Sequence, residues 1–187
     1  KLRSCSMRVL LLLFLAACAP RPRSVPLVRA PAAAEQRALV LRPTQTELFA
    51  APGSFVNALA DIDGDGDTDL FVGFNGAPNR LYRNDRGMFV EVAAAAGVAD
   101  ARATRAAAFG DFDADGNVDL YVGFTPASPL ANKLYRNLGN GTRFMDVASS
   151  VGVAERGTTR QPAFVDYDGD GDLDLSVAFR DRPNALY

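Results

Sequence analysis

Histidine is absent from all 187 residues, and cysteine occurs only twice, at Cys5 and Cys18. Without histidine the chain has no Ser-His-Asp triad, no Cys-His nucleophile pair and no histidine ligand for zinc. With no cysteine after Cys18, everything downstream lacks a disulfide, even in a compartment that would permit one. A phosphate-cradling glycine loop is missing as well, because Gly139-Asn140-Gly141 reads by context as a hairpin turn. Long apolar runs are also scarce. Val9–Ala17 is a short one, well below the about 20 residues needed to span a bilayer.

That apolar core follows Met7-Arg8, a short positive region, and the pair reads as a secretory signal peptide. Its end, Leu15-Ala16-Ala17-Cys18, resembles the bacterial lipoprotein box. The resemblance implies cleavage before Cys18 and lipidation of Cys18. Ala19 does not resemble the aspartate that retains such proteins at an inner membrane, so the expected place is the cell envelope, as an outer-membrane lipoprotein or at the cell surface. An ordinary signal peptide with a chance cysteine is the alternative. Residues 1–18 are thus read as the signal segment, with Lys1–Ser6 upstream of the native start.

Residues 19–46 form a Pro/Ala/Arg-rich tether (Pro20, Pro22, Pro26, Pro31, Pro43) with little periodicity. Charge divides at this boundary. Up to Thr46 there are eight Lys/Arg and one acid, Glu35, giving +7; the rest holds 12 Lys/Arg and 21 acids, giving −9. The basic tether reads as a solvated linker, with contact to anionic headgroups or polysaccharide as the alternative.

The acids of the remainder, residues 47–187, are concentrated in three copies of one pattern: Ala60–Phe74, Gly110–Phe124 and Val165–Phe179. Each places aspartates at relative positions 1, 3, 5 and 9 and glycine at 6, followed at once by an apolar run. Carboxylates this close repel one another, and a multivalent hard cation turns the repulsion into binding. Alternate side chains of a tight loop converge, so the predicted ligand sets are Asp61, Asp63, Asp65 and Asp69; Asp111, Asp113, Asp115 and Asp119; and Asp166, Asp168, Asp170 and Asp174. Position 7 (Asp67, Asn117, Asp172) is assigned a backbone carbonyl ligand. The expected cofactor is Ca2+, at about three sites by this count of loops. An EF-hand fails, because position 12 is Val72, Val122 or Val177 within a strand-like run instead of a bidentate Glu. Empty Asp/Gly turns closed by Asx hydrogen bonds remain the alternative.

The loops recur after 50 residues (Asp61 to Asp111) and then 55 (Asp111 to Asp166). Other landmarks keep step: Arg80–Asn84 with Lys133–Asn137 and Ala185–Tyr187, and Phe89–Ala93 with Phe144–Ala148. Such a period with several short strands per unit predicts an all-β fold, a β-propeller of four-stranded blades. The strands expected are the segment before each loop, the run after it, the Leu-Tyr run and the Phe-x-x-Val run. Ala58, Ala108 and Ala163 suit an inner strand near a crowded axis.

The D-x-D-x-D-G-x-x-D-L pattern with its strand resembles the FG-GAP/VCBS-type repeat of integrin-α-like propellers. The Leu-Tyr-Arg-Asn and F-x-x-V-A-x-x-x-G-V elements are similar to the bacterial ASPIC/UnbV-like, cartilage-acidic-protein-like branch. This covers about Phe49 to Tyr187 and implies a seven-bladed parent, of which about two and a half to three blades are present as an incomplete arc. Ala114 departs from the glycine at position 4 of the other copies.

The function expected is a calcium-binding, envelope-anchored, non-catalytic module that recognises a protein or glycan, with membrane attachment through Cys18 and no nucleic-acid partner. A structural envelope or cell-contact element is the second reading. A polysaccharide-acting enzyme is the third, and it would need carboxylates outside the loops, for which Glu91 and Asp146 are the repeating pair. Thr125–Asn132 is the non-repeating segment nominated for a specific contact.

Overall fold

The computed structural model describes residues 45–125 and 131–187. The signal segment, Cys18 and the tether up to residue 44 lie outside the described residues, as do residues 126–130 of the Thr125–Asn132 segment. Among the described residues, eleven strands form three antiparallel sheets. The first holds β1 (Ser54–Ala60), β2 (Asp69–Phe74), β3 (Arg80–Asp85) and β4 (Met88–Glu91), paired in chain order. The second repeats it with β5 (Thr104–Gly110), β6 (Asp119–Phe124), β7 (Lys133–Asn137) and β8 (Phe144–Asp146). The third contains β9 (Thr159–Val165), β10 (Asp174–Phe179) and the two-residue β11 (Ala185–Leu186). A single short helix among the described residues, α1 (Ala93–Ala96), turns the chain from the first sheet toward the second and ends at Gly97, whose φ of 82° favours glycine.

This is an incomplete propeller-like arc. Strands β1, β5 and β9 lie side by side as the inner strands, which is where the sequence placed the small Ala58, Ala108 and Ala163. Each sheet lays one face on the next. Phe71, Leu81, Leu120, Val122 and Tyr135 pack between the first and second sheets, and Tyr121, Leu134, Leu175 and Val177 between the second and third. Because β2 and β6 are covered on both faces, they read as continuous apolar runs, not alternating ones. Burying a side chain such as Phe71, which is fully enclosed, stabilises by roughly 2–3 kcal/mol.

The outer face of the first sheet has a different cover. Val72, Phe74 and Tyr82 are packed under Leu48, Phe49 and Ala51, from the segment preceding β1. Gln45 pins that segment, donating to the Gly87 carbonyl at 2.7 Å while its own carbonyl accepts the Phe89 N–H at 3.3 Å. Tyr82 and Tyr135, which recur with the repeat, are buried packing residues, whereas their counterpart Tyr187 is exposed.

Two glycines set the spacing between sheets. A Cβ on Gly73 would collide with Thr104, and one on Gly123 with Thr159. Each glycine thus receives the first residue of the next sheet's inner strand.

Candidate metal-binding loops

All three aspartate loops join the inner strand of a sheet to its second strand, spanning 61–69, 111–119 and 166–174. The turn is built by the first aspartate. Asp61 Oδ1 accepts the N–H groups of Gly64 (2.8 Å) and Asp65 (3.2 Å), and Oδ2 accepts that of Gly66 (2.9 Å). Asp111 and Asp166 do the same work through Gly116 and Gly171. The backbone must pass through the left-handed region for this, at φ 90°, 86° and 100° for Gly66, Gly116 and Gly171. Ala114 adopts φ 55° where its counterparts are glycines; the second loop carries that strain and keeps its turn.

The ninth position is a staple. Asp69 is fully buried, and its two oxygens accept the Ile62 N–H (2.8 Å) and the Asn84 N–H (2.7 Å), tying the loop to β3. Asp119 repeats this with Phe112 (3.0 Å) and Asn137 (2.8 Å), and Asp174 accepts the Tyr167 N–H at 2.7 Å. Burial raises the Asp69 carboxyl above its usual range. Burial, with Asp113 and Asp115 adding to it, pushes Asp119 up to about 6.

Three carboxylates converge in each loop, with ligand atoms within 4.8 Å of one another: Asp61, Asp63 and Asp69; Asp111, Asp113 and Asp115; Asp166, Asp168 and Asp174. Asp65, Asp119 and Asp170 lie outside these triplets. Their seventh-position neighbours serve locally: Asp67 Oδ2 accepts the Arg86 N–H at 2.7 Å, the Asn117 side chain donates to Asp115 at 2.9 Å, and the Asp172 N–H donates to Asp170 at 2.9 Å.

Asp63 Oδ1 is buried with no hydrogen-bond partner. Burial, and then the neighbouring Asp65 charge, raises its carboxyl. A buried carboxylate oxygen left without a donor, beside two further carboxylates, suits a hard oxygen-seeking divalent cation. Asp61 Oδ1 already accepts two N–H groups, but its Oδ2 accepts one and keeps a lone pair for an ion.

Arginines approach from the third strands unequally. Arg83 stands 3.9 Å from Asp63. Arg136, its counterpart, pairs with Asp113 at 2.6 Å and Asp115 at 2.9 Å. Hydrogen bonding from Asn117, joined by Arg136, holds the exposed Asp115 carboxyl below its usual range. Sequence reasoning passed over Arg136 and Asn137 as ligand-loop neighbours, although both recur with the Leu-Tyr landmark. It also passed over the Gly73–Thr104 and Gly123–Thr159 contacts.

Glu91 Oε1 accepts the Ala93 N–H at 2.8 Å, and Asp146 Oδ1 accepts the Ala148 N–H at 3.2 Å. These two carboxylates close the turns that follow their strands.

A family model described as the FG-GAP-like repeat matches residues 61–122 and again 125–177. The first match opens on Asp61 and takes in the second loop, and the second contains the third loop. No curated protein matches the chain.

Proposed function

The chain belongs to the FG-GAP-like repeat family, and from that premise we propose that it is a calcium-stabilised, non-catalytic recognition module held at the cell envelope. The observation that carries this reading is the recurrence of a convergent carboxylate triplet in all three loops, one with a buried, unpartnered oxygen at Asp63. Asp61, Asp63 and Asp69 would hold the ion in the first loop, Asp111, Asp113 and Asp115 in the second, and Asp166, Asp168 and Asp174 in the third. Calcium, when bound, supplies the positive charge that lets these carboxylates stay ionised side by side. The chain's own residues do the rest. Asp69 and Asp119 fasten each loop to its sheet, and the glycines hold the turn open to ligand atoms. The sheets present connecting loops on a rigid frame, the arrangement on which binding residues are usually displayed.

The partner class is a protein or a glycan. The local hydrogen bonding of Glu91 and Asp146 supports a non-catalytic reading. Cys18 is the proposed attachment point, and incorporation of labelled fatty acid that disappears in Cys18→Ser tests it.

The test of the core reading is thermal unfolding of the full chain with millimolar calcium and with excess chelator. Modules facing an extracellular compartment bind calcium at about 10⁻⁴–10⁻³ M, so a clear rise in melting temperature is expected in that range. It should be lost in the Asp61→Ala, Asp111→Ala, Asp166→Ala triple variant. Identical melting in calcium and chelator would overturn the reading. Binding in a glycan and envelope-protein screen, run on the calcium-loaded chain, is the measurement for the recognition role.

A further inference from the structure

The first two loops touch through one side chain. Asn137, at the end of β7, is fully buried. Its side-chain amide donates to the Ile62 carbonyl in the first loop (2.9 Å) and to the Val118 carbonyl in the second (3.2 Å). Its Oδ1 accepts the Gly139 N–H at 3.1 Å, so three of the four hydrogen bonds open to the amide group are made. On each side the contact continues to a ninth-position aspartate. Ile62 N–H donates to Asp69, and Asn137 N–H donates to Asp119. The peptide unit that Asn137 grips is the one leading into Asp63, whose Oδ1 lacks a partner.

We infer that Asn137 is a positioning residue for the first loop, and that through it the two adjacent loops bind cations cooperatively. This rests on the calcium reading above. Ordering of the second loop fixes Asp119 and Val118, which orients Asn137. Asn137 in turn sets the Ile62–Asp63 peptide and so the direction of the Asp63 carboxylate. The hairpin after β7 closes the contact from the other side: a Cβ on Gly141 would meet the Ile62 carbonyl oxygen at 2.9 Å, and its φ is 58°. Asn84 shows the same residue without the bridge. It donates to Thr68 of its own loop at 3.1 Å, so it serves as an internal control.

The test is a calcium titration of the full 187-residue chain followed by amide resonances of Gly66, Gly116 and Gly171, one per loop. Four chains are compared: the natural one, Asn137→Ala, the second loop disabled by Asp113→Asn with Asp115→Asn, and the combination. With Asn137 present, disabling the second loop weakens the first by about fivefold or more, at the low end of typical couplings between sites. With Asn137→Ala that dependence falls below about twofold, while the third loop titrates alike in all four chains. Asn84→Ala leaves the coupling intact. Gly141→Ala, which removes no hydrogen-bonding group but presses on the Ile62 carbonyl, lowers the same coupling and serves if Asn137→Ala does not fold. A first-loop affinity indifferent to the second loop, or equally dependent on it without Asn137, overturns the proposal alone. No glycine response up to about 10 mM calcium, beyond the extracellular range, overturns the calcium reading and this inference together.

Discussion

The two ends of the sheets handle charge in opposite ways. At the end opposite the aspartate loops, carboxylates have their own partners. Asp100 bonds Arg102 through both oxygens and has Lys133 at 3.6 Å. Glu155 pairs with Arg182, and Asp181 accepts the Thr158 hydroxyl at 2.7 Å and its N–H at 2.9 Å. At the loop end the acids outnumber the cations that reach them, and the shortfall varies by loop. Arg136 sits directly on the second loop, whereas Arg83 stays at arm's length from the first. One end is closed electrostatically by folding alone. The other keeps an excess of carboxylate charge, larger at the first loop than at the second.

The comparison is broken most severely at the staples. Asp119→Ala strands two backbone N–H groups in a buried setting and is expected to cost about 3–4 kcal/mol in chelator. Asp69→Ala, with Asn84 less enclosed than Asn137, is expected to cost about 2–3 kcal/mol. Denaturant unfolding of both variants measures the pair, and equal small losses would show that these carboxylates act only as ligands. The matched end gives the next effect. Arg102 stacks on Phe124 at 3.6 Å and donates to the Ala131 carbonyl at 2.9 Å besides holding Asp100. Arg102→Ala should therefore cost about 2–3 kcal/mol, and the loss should be the same with and without calcium. A calcium-dependent loss would mean the two ends are not independent.

A finer test separates the loops. Arg136→Gln removes a cation from Asp113 and Asp115 and should raise calcium affinity at the second loop by about fivefold, the scale of one or two partly exposed ion pairs. Arg83→Gln should change the first loop by less than about twofold. Amide titration of Gly116 and Gly66 reads both. The smallest effect is the pH response of the matched end. Burial alone would raise Asp100, but the Arg102 hydrogen bonds and the Arg102 and Lys133 charges outweigh it and hold the carboxyl below its usual range. A depressed folded-state value stabilises above the unfolded carboxylate range and is lost as pH falls through the folded one. Unfolding free energy in chelator should thus decline below about pH 4, and less steeply in Arg102→Met. An unchanged slope would remove Asp100 from the account.

Much of this architecture was legible in the residues. The recurrence of aspartates 50 and 55 residues apart, with apolar runs after each, located every inner and second strand to within a few residues. The Gly139-Asn140-Gly141 turn located the hairpin after β7. What escaped depends on contacts between sheets. Nothing local distinguishes Arg83 from Arg136, because their distances to the loops are set by how each third strand lies. The ninth aspartate reads as a ligand alone, whereas at Asp69 and Asp119 its two oxygens also accept N–H groups from residues seven positions before it and fifteen or eighteen after it. Leu48, Phe49 and Ala51 fell inside residues 47–187 but ahead of the first expected strand, and nothing marked them as a cover, since a cover for an outer face needs no periodicity of its own.

The glycine–threonine contacts between sheets bear on how such a chain can grow. A repeat unit duplicated in a gene brings Thr104 or Thr159 at its leading edge and Gly73 or Gly123 on its second strand, so any copy carrying both halves of the fit can be inserted next to any other. The third repeat has the threonine, but Ala178 stands where the glycines stand in the first two. Its methyl fills the notch a following threonine would need, so one base change at that codon alters which units are interchangeable. A unit set after the third repeat would thus meet a methyl where the units after the first two meet a hydrogen.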